Sequence, residues 1–477
     1  MKLTGRFFIV TLGIGLFLLL LLGGSARSVA TMSGPVTPRT YAVPDYKPAP
    51  SRGNLARTGV YTGVTPPALD EVLWTQTVDG FIEDPPFVDG DTLYFLGDGY
   101  GGNYLHAIDI PTGKEKWAVK ASRYTPPVAD DGVVYFTTAA GLHAMDVETQ
   151  QERWVFAKAG EGIASPVLLD GTAYFASEVG YLYAVDVTSG KEKWSTPLVL
   201  DEHGRAVPVR IVTEVAVLDD TLYFGAGGYF HAIDLQTGKK QWQASVGDAV
   251  FGMPAFGEGL VYVVGGDNKT RFDVIEYQTN LYALDLDTGS RIWKFEPPGH
   301  PESPGDVGSP VVYDGVVYFA NGNNAWIGPG HLYALDARSG KQFWRRTTPD
   351  GLSQPKALSV YDGLVYVPAR VPPDFPAWLE AGSKEGAPLY VFDAKTGDLR
   401  WTWRGGEYVT DATIAGGILY IGTERGDIGL VHALDAKSGR EVRKIETSTA
   451  VVSQPLIVDG IIYARQSDLD DKIVGIR

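Results

Sequence analysis

From about residue 71 to the C terminus the chain is written in short alternating runs of apolar and polar residues, each broken by an Asp-Gly, Thr-Gly or Ser-Gly pair. No stretch between residues 60 and 477 repeats its apolar positions with the helical period, so the pattern predicts strands and turns throughout. PVLLDGTAYFA from Pro166, PVVYDGVVYFA from Pro310 and PLIVDGIIYAR from Pro455 each place Asp-Gly between two apolar runs. That arrangement predicts a hairpin, because a two-residue turn of this kind needs positive φ at both central positions.

After each hairpin comes a second phrase, small-x-Asp-x-x-Thr/Ser-Gly-x-x-x-Trp, with copies beginning at Ala107, Ala144, Ala184, Ala232, Ala283, Ala334, Val391 and Ala433. Asp in this phrase can accept hydrogen bonds from amides just ahead of it, and Gly supplies the left-handed residue of a bulged hairpin. Trp brings the large apolar body with which one thin sheet can cover its neighbour. Three copies depart from the phrase: Gln150 replaces the glycine, Val391 the alanine and Arg443 the tryptophan.

Together the phrases describe a four-stranded unit, A to D, and units at this spacing stack radially into a β-propeller. A–B pairs begin near Pro85, Pro126, Ser165, Val215, Met253, Ser309, Ala357, Asp411 and Ser453, which predicts an all-β propeller of nine antiparallel blades, or eight if one unit is irregular. The last pair has no D strand after it, while Glu71 to Thr77 is a lone D-like strand carrying Trp74. Pairing the two fragments would close the ring and remove its open edges.

Residues 1–30 change the picture of location. Lys2 and Arg6 precede an apolar run from Phe7 to Leu22, and Ser28-Val29-Ala30 supplies small residues for a peptidase. This is a signal peptide or an N-terminal membrane anchor, and either puts the body outside the cytoplasm. Residues 31–60, with Pro35, Pro38, Pro44, Pro48 and Pro50, are expected to form a linker, and residues 61–477 a single propeller domain. The 41 basic and 57 acidic residues of the 477 give a net charge of −16, which argues against a nucleic-acid partner. Membrane contact is expected only through the N-terminal segment. With no cysteine, the chain has no disulfide, thiolate metal site, c-type haem attachment or lipidated cysteine.

The repeated phrase resembles the tryptophan-docking repeat of the pyrroloquinoline-quinone-type propellers, on Ala107, Gly113 and Trp117 and on the copies at Ala184, Ala232, Ala283 and Ala334. That resemblance implies one of two kinds of member. Quinoprotein dehydrogenases of the family oxidise alcohols or sugars with the quinone and calcium or a similar ion in the central channel. Others are non-catalytic and bind protein partners, similar to the scaffold lipoprotein of the outer-membrane β-barrel assembly machine. This chain lacks the adjacent-cysteine disulfide of many of the dehydrogenases, and the lipidated cysteine of the scaffold.

Tight A–B and C–D turns and long B–C and D–A segments should fall on opposite faces of the disc. The insertions Gly265 to Asn280, Asn321 to His331 and Ala369 to Pro388 therefore point to one functional face, with Arg271, Tyr277, Trp326, Arg370, Phe375 and Trp378 as candidate partner contacts. The competing reading is that these aromatics fasten the insertions to the disc. Asp267, Asn268, Asn321 and Asn323 are oxygen donors of the type calcium takes, although amides in loops are commonly turn formers. His106, His143, His231 and His432 share one repeat position, where Tyr stands in other copies, and are read as packing residues. No nucleophile elbow, His-Glu-x-x-His or phosphate loop is present, so no catalytic residue is assigned. The expectation is an exported or anchored non-enzymatic propeller that binds an envelope protein or polymer and has no cofactor. A quinoprotein dehydrogenase using pyrroloquinoline quinone with calcium is the alternative, and a carbohydrate-binding propeller the second.

Overall fold

The turns form as their chemistry dictates. In the A–B hairpins Asp131, Asp170, Asp314, Asp362 and Asp459 take φ between 46° and 50°, and the glycine after each takes φ between 67° and 76°. Both residues are left-handed, as a type I′ turn requires. In the first C–D turn the Asp109 carboxylate accepts hydrogen bonds from the Thr112 amide at 3.1 Å and its hydroxyl at 2.5 Å, and the Gly113 amide donates to the Asp109 carbonyl at 2.7 Å. The same bonds recur at Asp146, Asp186, Asp234, Asp285, Asp336 and Asp435, and Asp393 keeps the amide bond. Each C–D ladder slips one register right after the small residue, as between Ala184 and Val185, which is the bulge the left-handed glycine allows.

The computed structural model describes residues 60–61, 66–78, 81–82, 86–99, 102–122, 125–159, 165–177, 179–200, 203–208, 213, 215–268, 277–298, 308–321, 330–349, 354–355, 358–370, 386–426, 428–467 and 471–477. All lie within one unit, Arg39–Arg477. The expected export segment and most of the linker fall outside the described residues. Among those described, the only helical turn is Ala157–Ala159, and no helix is long and apolar enough to cross a membrane.

The described strands form nine sheets, each built on four antiparallel strands and some carrying one or two short extra strands, which is the expected nine-bladed propeller. Blade 8 has strands A Thr413–Ala415, B Ile418–Arg425, C Ile428–Asp435 and D Glu441–Thr447. Nine apolar clusters fill the nine spaces between consecutive blades. Val167, Tyr174 and Leu182 of blade 3 meet Val217, Leu222 and Phe224 of blade 4, for example. In the closing cluster Tyr463 and Ile473 of blade 9 meet Leu93, Phe95 and Ile108 of blade 1. The short A strands of successive blades lie against one another and surround the axis, while D strands form the outer rim.

Every docking tryptophan but Trp117 lies on the turn glycine of the next blade. A Cβ on Gly397 would come within 2.6 Å of Trp344, and one on Gly190 within 2.7 Å of Trp154. The ring NH of Trp344 donates to the Ala394 carbonyl at 3.1 Å, and the strand-B hydroxyl of Tyr318 donates to the same oxygen at 3.0 Å. Trp293 and Tyr262 share the Ala337 carbonyl in the same way. With Trp242 and Tyr223 on the Leu286 carbonyl, one backbone oxygen satisfies two donors at each of these three interfaces.

Ring closure explains one of the departures, Arg443. Val72–Thr77 supplies strand D of blade 9 by pairing with Lys472–Ile476, with Trp74 opposite Gly475 and Gln76 opposite Ile473. Blade 9 therefore takes its C and D strands from opposite ends of the chain and has no C–D turn. A tryptophan at position 443 would have no turn glycine to lie on. Arg443 instead forms an ion pair with Asp70, and Tyr420 donates to the Pro67 carbonyl at 2.8 Å. Gln150 keeps the left-handed backbone of the glycine it replaces, at φ 56°, and Trp117 still donates to the Val147 carbonyl at 3.0 Å.

One strand was not expected. Val60–Tyr61 pairs in parallel with strand A of blade 8, Val60 opposite Ile414 and Tyr61 opposite Ala415. Val60 thus belongs to a sheet rather than to the linker.

Candidate functional site

Two chemically different faces follow from the strand order. On one, each C–D turn is tied to its own A–B turn, as in the amides of Val147, Ala337 and Ala394 donating to the carbonyls of Gly132, Gly315 and Gly363. On the other, D–A connections are tied to B–C connections. Asp248 donates to Gly266, Ala387 to Gly406 and Glu407 to Glu424, all through backbone at 2.7–2.8 Å. The described strand ends that flank the long B–C insertions open on the latter face. Its B–C insertions belong to blades 5, 6 and 7, three neighbours in the ring.

Of the residues proposed from sequence for this face, Arg271, Trp326, Phe375 and Trp378 lie outside the described residues. Tyr277 and Arg370 are described in their backbone alone. Tyr277 opens strand C of blade 5 opposite Asn268, and Arg370 ends strand B of blade 7 opposite Gln354. The candidate calcium donors are spread over two blades. Asp267 in blade 5 accepts from the Asn280 amide at 3.4 Å and lies 3.6 Å from the Lys294 ammonium. Asn268 is next to it in the strand, whereas the buried Asn321 pairs with His331 in blade 6. Asn323 lies outside the described residues.

The four repeat-position histidines sit in four separate sheets. His106 and His143 stack on Phe95 and Phe136 at ring separations of 5.0 and 5.2 Å, and each bonds a strand-D glutamate, Glu115 at 2.8 Å and Glu152 at 2.9 Å. His432 does the same with Glu441 at 2.8 Å. In blade 4 the glutamate position holds Lys240 instead. His231, fully buried, reaches only the Ala226 carbonyl at 3.3 Å. Burial, and then Lys240, pushes its pKa down to about 4. Burial also holds His432 below the usual value, partly opposed by Glu441.

Sequence reasoning missed two cationic clusters beneath the insertions. In blade 5, Lys294 lies 5.5 Å from the Tyr282 ring centre and bonds Glu296 at 2.7 Å. One blade on, Arg345 lies 5.7 Å from the Tyr333 ring centre and donates to His331 Nε2 at 2.8 Å. The signal was present: Lys294 and Arg345 directly follow the docking tryptophan, where Ala118, Val155, Ser195 and Gln243 stand in blades 1 to 4. A third acid-containing cluster joins Glu407 and Glu424, and burial, followed by the charge of Glu407, raises the Glu424 pKa.

The donors needed for the dehydrogenase alternative can be compared with these groups. Among the described residues no three His, Asp or Glu side chains converge on one point, so no carboxylate or imidazole cluster for calcium is present among them. No chemical step is derived through that group.

Comparison with known proteins bears on which of these properties to weigh. A family model described as outer membrane protein assembly factor BamB matches residues 64–126, 101–280, 277–413 and 387–476. Tetrathionate hydrolase from Acidithiobacillus ferrooxidans is 23% identical over 65% of this chain and 51% of its own. BamB from Moranella endobia is 26% identical over 53% of this chain and 64% of its own. The chain thus spans less than two thirds of either relative. Quinohemoprotein alcohol dehydrogenase from Comamonas testosteroni shares the fold, with a TM-score of 0.56 and 17% identity over 89% of this chain and 79% of its own.

Proposed function

The chain belongs to the family of β-propellers described as outer membrane protein assembly factor BamB, and from that premise we propose that it is a non-enzymatic, protein-binding scaffold of the cell envelope. The carrying observation is the grouping of the three long B–C insertions on adjacent blades of one face, over a disc held rigid by nine apolar interfaces. Rigid support with variable loops is how propellers present recognition surfaces. Arg271, Tyr277, Trp326, Arg370, Phe375 and Trp378 are the contacts proposed for that surface, with Lys294 and Arg345 as cationic support beneath it. Placement outside the cytoplasm, by cleavage of residues 1–30 or retention of them as an anchor, belongs to the same proposal.

The test compares the intact protein, co-purified from its own membrane fraction, with a variant whose three B–C insertions are shortened to tight turns. Loss of the co-purifying partners supports the reading; retention of all of them removes it. The dehydrogenase reading is tested separately, by adding pyrroloquinoline quinone and calcium to the purified protein. Stoichiometric uptake with dye-linked alcohol or sugar oxidation would replace the scaffold by an enzyme.

A further inference from the structure

The parallel strand Val60–Tyr61 sits where a propeller ordinarily has no strand. Strand A has two edges: one pairs with strand B, and the other faces the axis. Val60 and Tyr61 take the axial edge of blade 8, opposite Ile414 and Ala415, and lie against Ser359–Tyr361, the A strand of blade 7. Among the described residues no other blade has a strand in this position.

The local sequence is fitted to this arrangement. In seven blades the first residue of the A–B turn is Asp or Glu, at Asp131, Asp170, Asp219, Glu258, Asp314, Asp362 and Asp459; in blades 1 and 8 it is glycine, Gly90 and Gly416. Gly416 has φ 56°, and a Cβ there would meet the Pro66 ring at 2.4 Å. A Cβ on Gly90 would meet nothing, so only in blade 8 does the turn glycine leave room for a crossing segment, the N-terminal one. Beyond Pro66 the segment is firmly held: Pro67 accepts from Tyr420, Leu69 is only 2% exposed, and Asp70 pairs with Arg443. Val60 and Tyr61 lie upstream of all these contacts; both are half-buried, and Val60 packs on the apolar cluster between blades 7 and 8. The axial strand can therefore leave without unlatching the ring.

We propose that Val60–Tyr61 is a self-inhibitory strand: it occupies in cis an axial β-augmentation site on blade 8 that takes an extended peptide of β-branched and aromatic character. Four residues connect it to Pro66, so its effective concentration at the site is on the order of millimolar, and a partner at micromolar concentration cannot compete until the strand is released. Gly416 and Pro66 form the latch. This inference concerns the axis, and does not depend on what the loop-rich face binds.

Because the chain has no cysteine, the site can be trapped cleanly. The full-length variant Tyr61→Cys with Ala415→Cys is expected to form an intramolecular disulfide on mild oxidation, since register partners fall within disulfide reach. Failure to form it would overturn the pairing. The probe for the site is an acetylated peptide of residues 56–65 with cysteine in place of Tyr61, added as a mixed disulfide to full-length Ala415→Cys protein. Adding Gly416→Asp restores the turn acid used in other blades and displaces Pro66, and is expected to raise the rate of peptide cross-linking at least tenfold. A second variant, Val60→Pro with Tyr61→Pro, leaves the turn unchanged and should give the same rise. Equal rates with and without release in both variants would sink the proposal.

Discussion

Tyr420 donates its hydroxyl proton to the carbonyl of Pro67 at 2.8 Å, across 353 residues of chain. In blades 4 to 7 the equivalent tyrosines donate to a carbonyl of the next blade's C–D turn. Blade 9 has no such turn, and the N-terminal segment replaces its carbonyl. If the replacement bears the same load, Tyr420→Phe and Tyr318→Phe should each lower stability by about 1 kcal/mol, by leaving a buried acceptor with one donor fewer. Urea midpoints of the two variants would show it. A negligible effect at Tyr420 alone would mean that the seam is not latched there.

The docking tryptophans should differ from Arg443 in what their loss costs. Trp344→Ala is expected to destabilise by about 3–5 kcal/mol, because it opens a cavity between blades 6 and 7 and leaves the Ala394 carbonyl with one donor. Gly397→Ala should be damaging too, since its φ is 71° and its Cβ would meet Trp344. Arg443→Trp should bring no stabilisation, there being no turn glycine to receive the ring. A rise in melting temperature for Arg443→Trp would contradict the account of closure.

Gln150 holds a left-handed backbone that the glycine in every other copy adopts without a Cβ penalty. Gln150→Gly should therefore stabilise, by roughly 0.5–1 kcal/mol once the greater unfolded-state freedom of glycine is subtracted. Thermal melting decides it: a lower transition temperature would show that the glutamine side chain makes compensating contacts.

Two pH windows follow from the titrating groups. The folded pKa of His231, about 4, lies below its ordinary value of 6.5, because burial and then Lys240 disfavour the charged ring. Between these values the unfolded chain binds more protons than the folded one, so stability is full above pH 6.5 and falls as pH drops toward 4, by roughly 3 kcal/mol at most. His231→Phe should flatten that window in urea titrations. The turn carboxylates act lower. Hydrogen bonds from Arg153 and Thr149 at Asp146, from Arg400 and Thr396 at Asp393, and from Thr112 at Asp109 hold them below the usual carboxylate range, with Asp393 at about 2. Their contribution is present above about pH 4 and is lost as pH falls through the folded values. A stability profile flat from pH 7 to pH 2 would contradict both.

The bladed architecture was legible because every blade repeats its turn chemistry. Asp-Gly pairs, the Asp and Gly of the C–D turn and the docking tryptophan act within a few residues or at one fixed interface, so sequence spacing reports them directly. The lone strand at Trp74 announced the closure for the same reason. The candidate face was legible only as a set of insertions, since Arg271, Trp326, Phe375 and Trp378 belong to loops without the repeat's local rules. Lys294 and Arg345 carried a readable signal in their position after the tryptophan, but their aromatic and carboxylate neighbours come from other strands.

The residues alone therefore determined the four-stranded blade, the turn types and the pairing of the chain's two ends, all consequences of φ preference and strand alternation over short distances, while the choice of nine blades over eight came with the structure. Only the tertiary structure decided why Arg443 is not tryptophan, why Gly416 is not aspartate, and that Val60 and Tyr61 lie along the axis. Each depends on which distant segment arrives beside it, and spatial arrival is set by the closing of the ring rather than by any local preference.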